Sequence, residues 1–483
     1  MWKPAQRIKH THLAAEWPDS DTAHASMLFS PIAEGRLKLN HRTWIPAMVP
    51  WRATEQGEVT EDVIDWYRRF AEGKPGALVI EATGIRDIPS GPLLRIGHDR
   101  YIPGLKKIVQ AIHEASDGHT KCFIQLIDFL PIRRRPEKEK FLRRFLVLTD
   151  AIYKSLNITS GDEDAARAKL CDMPDEALME ILPAREYENM TRGYRQRVTD
   201  TELEEVANLP VLLPELFANA ALRAEQAGFD GVELHFAHAY TMASFLSRLN
   251  TRTDGYGGAP ACRMRLPLEV FAATRKACRD DFIVGCRMLA EENIEGGSDC
   301  NDAIIFANAF ARAGMDFISF SRGGKFEDAK SPRVGEAIYP YTGQSGYECM
   351  PQIISDEQGP FGRNADAVQL IKTNLMNHKL TTPIVLTGGM HVFNQAEQYL
   401  QSGAADIIGF ARQSLADPDW FTKVIAGQGT AVNLCTYSNY CEGLDQKHKM
   451  VTCQLWDRVG LEEKDAKKTP DGKRRTIAPA WDK

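Results

Sequence analysis

Two histidines three residues apart and a tyrosine two further on, His235, His238 and Tyr240 in "GFDGVELHFAHAY", directly follow a short apolar run. Imidazole N–H groups and a phenol hydroxyl can hold a developing oxyanion and deliver a proton. The same residues would equally well close a core strand as satisfied polar groups. Other sets carry chemistry of their own. Gly388 and Gly389 in "TGGM", with Ala411 and Arg412 in "GFAR", can offer backbone N–H groups and a cation to an anion. Cys435, Cys441 and Cys453 cluster late in the chain, and "RRRPEKEKFLRRF", headed by Arg133, Arg134 and Arg135, holds seven basic residues in thirteen.

These groups need a scaffold. "WIPAM", "ALVIEAT", "CFIQLI", "GVELHFA", "FIVGCRM", "FISFSRG", "PIVLTGG" and "DIIGFAR" read as buried strands, being short, apolar and β-branched. Between most of them lie segments with helical spacing, and three of these end in Gly228, Gly314 and Gly403, where a left-handed cap favours a residue without Cβ. Eight βα repeats predict an α/β fold, a (β/α)8 TIM barrel over residues 28–430. A doubly wound sheet shares that alternation, but polar residues gather at the strand C-terminal ends, which in a barrel converge on one mouth. Residues 130–209 interrupt the spacing after strand 3 and predict a long, partly helical insertion over the barrel mouth. Residues 431–483 form a C-terminal extension, polar enough to wander or to dock on a neighbour.

Composition narrows the function classes. The 483 residues are 43% hydrophobic, enough for a sizeable core. A net charge of −6 from 59 basic and 65 acidic side chains argues against general nucleic-acid binding, which needs a basic surplus. No apolar run approaches the ~20 residues of a membrane helix. The opening "MWKPAQRIKHTHLAAEWPDSD" lacks the apolar stretch of a secretion signal, so the reading is a soluble cytoplasmic protein. Ten scattered cysteines imply reduced thiols.

The stretch from Gly228 to Gly258, with "LFSPIAEGRLKLNHRTWIPAM" before it and "GFARQSLADPDW" after, resembles the Old Yellow Enzyme family of NADH:flavin oxidoreductases and the barrel domain of the related 2,4-dienoyl-CoA reductases. The resemblance implies FMN and reduction of a C=C bond conjugated to a carbonyl. His235 and His238 would then hold the substrate carbonyl oxygen as enolate-like charge develops, and Tyr240 would protonate the α-carbon. Gln125 would bond the flavin ring, Arg287 would stabilise the reduced anionic flavin, and Ala47, Met48 and Ala82 would line it. Gly388, Gly389, Ala411 and Arg412 would take its phosphate. Electrons would come from NAD(P)H in the substrate pocket or from another donor, because no G-x-G-x-x-G follows Trp420.

Departures from the family pattern matter too. Val49 stands where a threonine or cysteine is usual beside flavin O4, and Asp128 where a histidine is usual. Dienoyl-CoA reductases bind a 4Fe–4S cluster through C-x2-C-x3-C-x11-C. Here Cys435, Cys441 and Cys453 keep the last spacing, with Ser438 near the second position, so the trio reads as three ligands of a cluster or as buried thiols. The basic run and the dienoyl-CoA reductase likeness point to an enoyl- or cyclic dienoyl-CoA thioester whose phosphates meet Arg133, Arg134 and Arg135. The alternatives are a small enone or enoate, and a flavin-binding barrel without catalysis. Expected partners are a small-molecule substrate and further copies of the chain in a homo-oligomer, with neither nucleic acid nor membrane.

Overall fold

The computed structural model describes residues 12–327, 329–340 and 358–482. The first eleven residues, on which part of the secretion-signal reading rests, lie outside the described residues. Strands β1 (Thr43–Ile45), β2 (Ala77–Gly84), β3 (Lys121–Ile127), β4 (Gly231–Phe236), β5 (Ile283–Leu289), β6 (Ile318–Ser321), β7 (Ile384–Thr387) and β8 (Ile407–Gly409) close a parallel barrel in chain order. Each coincides with one of the eight apolar runs. Around it run α1 (Glu61–Ala71), α2 (Ile102–Ala115), α3 (Leu209–Ala227), α4 (Arg265–Ala277), α5 (Cys300–Ala313), α6 (Ala365–Asn377), α7 (Phe393–Gln401) and α8 (Trp420–Ile425). Gly228 and Gly314 cap α3 and α5 with φ of 95° and 92°, as their position predicts. Asp299 and Asp302 form a capping box at the start of α5.

Alternate strand residues fill the barrel. At its N-terminal end Trp44, Phe123 and Phe317 pack edge and face, with ring centroids 4.9–5.5 Å apart. Ile32, Leu37 and Leu39, from an antiparallel hairpin of Ile32–Glu34 and Leu37–Leu39, join the same cluster. Gly285 on β5 makes room for this layer, because a Cβ there would lie 2.4 Å from the Phe317 ring. The apolar layer leaves the C-terminal half of the barrel to polar side chains.

The chain divides into two compact units. Among the described residues the second comprises 130–197, 324–327 and 329–340 and has its own core, including Phe141, Leu146, Ile152, Leu170 and Leu178. Its helices span Asp150–Leu156, Glu163–Cys171, Asp175–Ile181 and Ala184–Arg192. The head of the basic run is not among the helical parts of the insertion. Arg133 and Arg135 are extended, with Arg133 N donating to Tyr194 O and Arg135 N to Glu336 O. Pro131 and Pro136 bracket the triplet, and a following proline disfavours helix. Helical turns begin only at Lys138.

The extension does not wander. It contains α9 (Tyr440–Asp445) and docks on its own barrel. Arg52 Nη2 donates to Val451 O at 2.8 Å and Thr476 O at 2.7 Å, and Trp456 Nε1 to Leu415 O at 2.9 Å. Arg69 on α1 joins Asp419 to the carbonyls of Ala478 and Pro479.

The tight fit at Gly285 gives a stability test. Gly285→Ala is expected to lower the unfolding free energy by about 1–3 kcal/mol through overpacking against Phe317, read from urea denaturation.

Candidate active site

Continuing the inward alternation upward turns the barrel lining polar. Gln125 on β3 lies opposite Glu233 on β4, His235 opposite Arg287 on β5, and Arg287 opposite Ser319 on β6. Gln125 Nε2 donates to Glu233 Oε1 at 2.6 Å. Arg287 donates to Ser319 Oγ at 2.9 Å and to Thr387 Oγ1 at 3.3 Å. Glu233 is fully buried; burial raises its pKa while Arg287 pulls it down. This floor holds one cation and one carboxylate fixed in place.

Beyond β4 the backbone turns sharply. His238 and Ala239 take φ of 58° and 63°, a left-handed conformation that non-glycine residues hold only when their surroundings impose it. The turn places His238 Nδ1 3.3 Å from His235 Nε2, and His238 Nε2 2.7 Å from Ser321 Oγ. His235 Nδ1 is buried without a hydrogen-bond partner. The Tyr240 ring meets Phe129 and His235 edge-on at centroid distances of 5.1 and 5.7 Å. Burial, then Arg287, pulls His235 down to about 3; burial, then His235, holds His238 well below the imidazole range. Both rings are therefore neutral near neutral pH. Burial, then Asp445 and Glu442, raises Tyr240 above the ordinary phenol value. It stays a phenol.

The other expected contacts fall around this floor. Ala47 and Met48, after β1, and Ala82, at an irregularity in β2, are half-buried where their neighbours along the strands are mostly buried. Gly388 and Gly389 have φ of 112° and 71°; a Cβ would come 2.6 Å from Asn364 Nδ2 and 1.9 Å from Pro360 O, so the chain's own packing demands both glycines. Ala411 and Arg412 follow β8, where the Arg412 guanidinium lies over the Tyr437 ring at 4.7 Å and donates to Asn439 Oδ1 at 3.2 Å. A fixed cation, a carboxamide, small half-exposed wall residues and a second arginine suit a flavin with its phosphate.

A model of the NADH:flavin oxidoreductase / NADH oxidase family matches residues 27–430. The chain belongs to this family. Membership implies FMN and a reduced nicotinamide donor. An NADH oxidase of Thermoanaerobacter brockii is 26% identical over 86% of this chain and 53% of its own length. An NADPH dehydrogenase of Halalkalibacterium halodurans is 27% identical over 84% of this chain and 96% of its own. The chain spans about half the length of the first curated relatives it matches. A solved 2-naphthoyl-CoA reductase in complex with 2-naphthoyl-CoA shares the fold, with a TM-score of 0.63 at 19% identity over 90% of this chain and 58% of that one. None of the helices among the described residues is long and apolar enough to cross a membrane.

Arg133, Arg134 and Arg135 belong to the second unit. There Arg133 lies over the Tyr194 ring at 5.1 Å, while Arg134 and Arg135 donate to the carbonyls of Gly335 and Pro332. Asp128 is buried in a bidentate pair with Arg86, at 2.6 and 2.9 Å, and burial raises its pKa against the pull of that arginine. Cys435, Cys441 and Cys453 lie within electrostatic reach of one another, and burial pushes Cys441 and Cys453 up to about 12. Iron binds thiolates. Among the described residues no three His, Cys, Asp or Glu side chains gather tightly enough to hold a single metal ion.

Reading the sequence for motifs missed Glu233, Ser319, Ser321 and Thr387. Their signal was available: each sits two residues from another inward-facing position on its strand.

Buried neutral histidines make stability depend on pH. His235 and His391 are depressed to about 3 and His41 to about 4, so the stability they contribute is complete above about 6.5 and falls as pH drops toward 3–4. Glu81 and Glu442, raised by burial to about 7 and about 8, act in the opposite direction, so the histidine slope between pH 7 and pH 5 is isolated in urea unfolding by substituting a single ring. His391→Phe, at a ring whose two nitrogens are buried and unpartnered, should flatten that slope.

Proposed function

We propose that the chain is an FMN-dependent reductase of C=C bonds conjugated to a carbonyl, acting on an enoyl- or cyclic dienoyl-CoA thioester. The observation that carries this reading is the set of Ser321, His238 and His235 linked by short contacts, beside Tyr240 and opposite the fixed cation Arg287. Bound FMN supplies the hydride for the β-carbon.

The chain's own residues do the rest. His235 and His238 spend one nitrogen each on one another at 3.3 Å, and a substrate carbonyl oxygen entering between them replaces that contact with bonds to itself. Being neutral, the imidazoles stabilise enolate-like charge as hydrogen-bond donors, each worth roughly 3 kcal/mol by analogy with single oxyanion-hole donors. Ser321 fixes the His238 ring from behind. Tyr240 gives its hydroxyl proton to the α-carbon. Its raised pKa keeps the proton in place until a strongly basic carbanion forms. Gln125 and Arg287 would hold the flavin ring and Arg412 its phosphate. The exposed guanidiniums of Arg133 and Arg134, with Arg135 beside them, would meet CoA phosphates.

Two measurements test this. Tyr240→Phe is expected to retain one equivalent of FMN, released on heating, while the rate at which an enone reoxidises the reduced protein falls by roughly 10²–10⁴. An unchanged rate moves the proton donor elsewhere. Replacing Arg133, Arg134 and Arg135 by Gln is expected to raise KM for a CoA thioester at low salt but not for a small enone. The difference should shrink as salt screens charges over ~8–10 Å. Unaltered thioester kinetics remove the CoA assignment.

A further inference from the structure

Strand β2 carries one residue more than β3 over the stretch where they pair, and the extra residue is Glu81. Ile80 pairs with Ile124 and the next pair is Ala82 with Gln125, so Glu81 stands outside the ladder as a β-bulge. Its N–H is satisfied from outside the sheet, donating to the Tyr67 hydroxyl on α1 at 2.8 Å, and its carbonyl accepts from Thr83 Oγ1 at 2.8 Å. The side chain follows outward. Glu81 Oε2 accepts from the same Tyr67 hydroxyl at 2.8 Å, and Oε1 from Leu94 N at 3.2 Å. Glu81 and Tyr67 are both buried. A regular strand would run otherwise: Ala77 and Val79 join the apolar layer inside the barrel, which makes Glu81 the next inward position, opposite Gln125. The extra residue reverses that phase and brings Ala82 inward instead, half-buried beside Gln125.

We propose that Glu81 and Tyr67 are positioning residues for the flavin ring: by holding the bulge they set a small apolar wall, and not a carboxylate, on the inner face of the barrel next to Gln125. This rests on the flavin reading above, in which Gln125 holds the ring and Ala82 lines it. The two phases of β2 differ in shape and in charge. An inward Glu81 would fill space that a planar ring needs. It would also add a second carboxylate beside Glu233, whose Oε1 already takes the Gln125 amide at 2.6 Å. Like charges packed together oppose one another, and both would oppose the negative charge of a reduced flavin. The Tyr67 hydroxyl favours the observed phase because it meets the unpaired N–H of the bulge and its carboxylate at once; in a regular strand neither bond would form. Helix α1 offers that hydroxyl from a fixed place, with Trp66, Tyr67 and Phe70 all buried.

The test uses the flavin-loaded protein. Flavin fluorescence on dilution reads the dissociation constant for FMN, and the visible absorption band of the bound flavin reads the surroundings of its ring. Tyr67→Phe, which removes only the hydroxyl, is expected to weaken FMN by roughly tenfold or more and to shift that band. Glu81→Gln, which still offers an oxygen to Tyr67, should stay within roughly threefold of the wild type. Gly285→Ala, which strains the opposite end of the barrel, should lower stability and leave both readouts alone. Glu81→Ala takes the place of Tyr67→Phe where that variant does not fold. Affinity and spectrum unaltered by loss of the anchor overturn the proposal, as does a Gly285→Ala protein that shows the same changes. Ala82→Val tests the flavin reading separately by crowding the ring. If it leaves FMN binding unchanged, that reading falls; if it weakens FMN while Tyr67→Phe does not, only the bulge proposal falls.

Discussion

Arg287 is a buried cation in the middle of a barrel whose lower half is aromatic, and the arrangement around it follows from that. An unpaired charge in such a place costs several kcal/mol, and losing one partner of a buried pair costs about 3–5 kcal/mol. Ser319 and Thr387 accept its N–H groups from two further strands, and the buried Glu233 on β4 attracts it electrostatically from a third. Those strands must keep their register for the cation to stay matched. The same charge helps hold His235 neutral, which turns an imidazole into a hydrogen-bond donor instead of a second cation.

Neutral histidines and a raised tyrosine describe a site that contributes dipoles more than charge. His238 and Ala239 occupy backbone conformations costing of order 1–3 kcal/mol each, and the bond to Ser321 shows what that strain achieves. A relaxed turn after Phe236 would leave the second imidazole without its support from β6. The aromatic layer of Trp44, Phe123 and Phe317 stiffens the barrel beneath. Strain at the top is tolerated because packing at the bottom is over-determined.

Much of this was legible in the linear chain, for physical reasons that also explain the failures. Strands buried on both faces read as continuous apolar runs, and all eight were visible as such. Helix ends at Gly228 and Gly314 announced themselves because only glycine takes their φ without strain. Glu233 and Ser319 were hidden only until the inward face of each strand was known. The triplet Arg133–Arg135 sits in a segment whose composition suits a helix, but the proline at 136 disfavours helical backbone just before it. Asp445 was beyond reach of any local pattern: its bond to Trp51 joins residues 394 positions apart, and nothing in an acidic residue on a short polar helix marks it as the partner of a distant indole.

That long separation has a consequence for biogenesis. Trp51 and all eight barrel strands emerge from the ribosome before α9, so a nascent chain can close its barrel before the extension docks. The contacts of Trp51 with Asp445 and His448 form only after the extension has been made. Docking of the extension on Trp51, Arg52 and Leu415 is therefore a late event, made on a barrel whose strands are already complete.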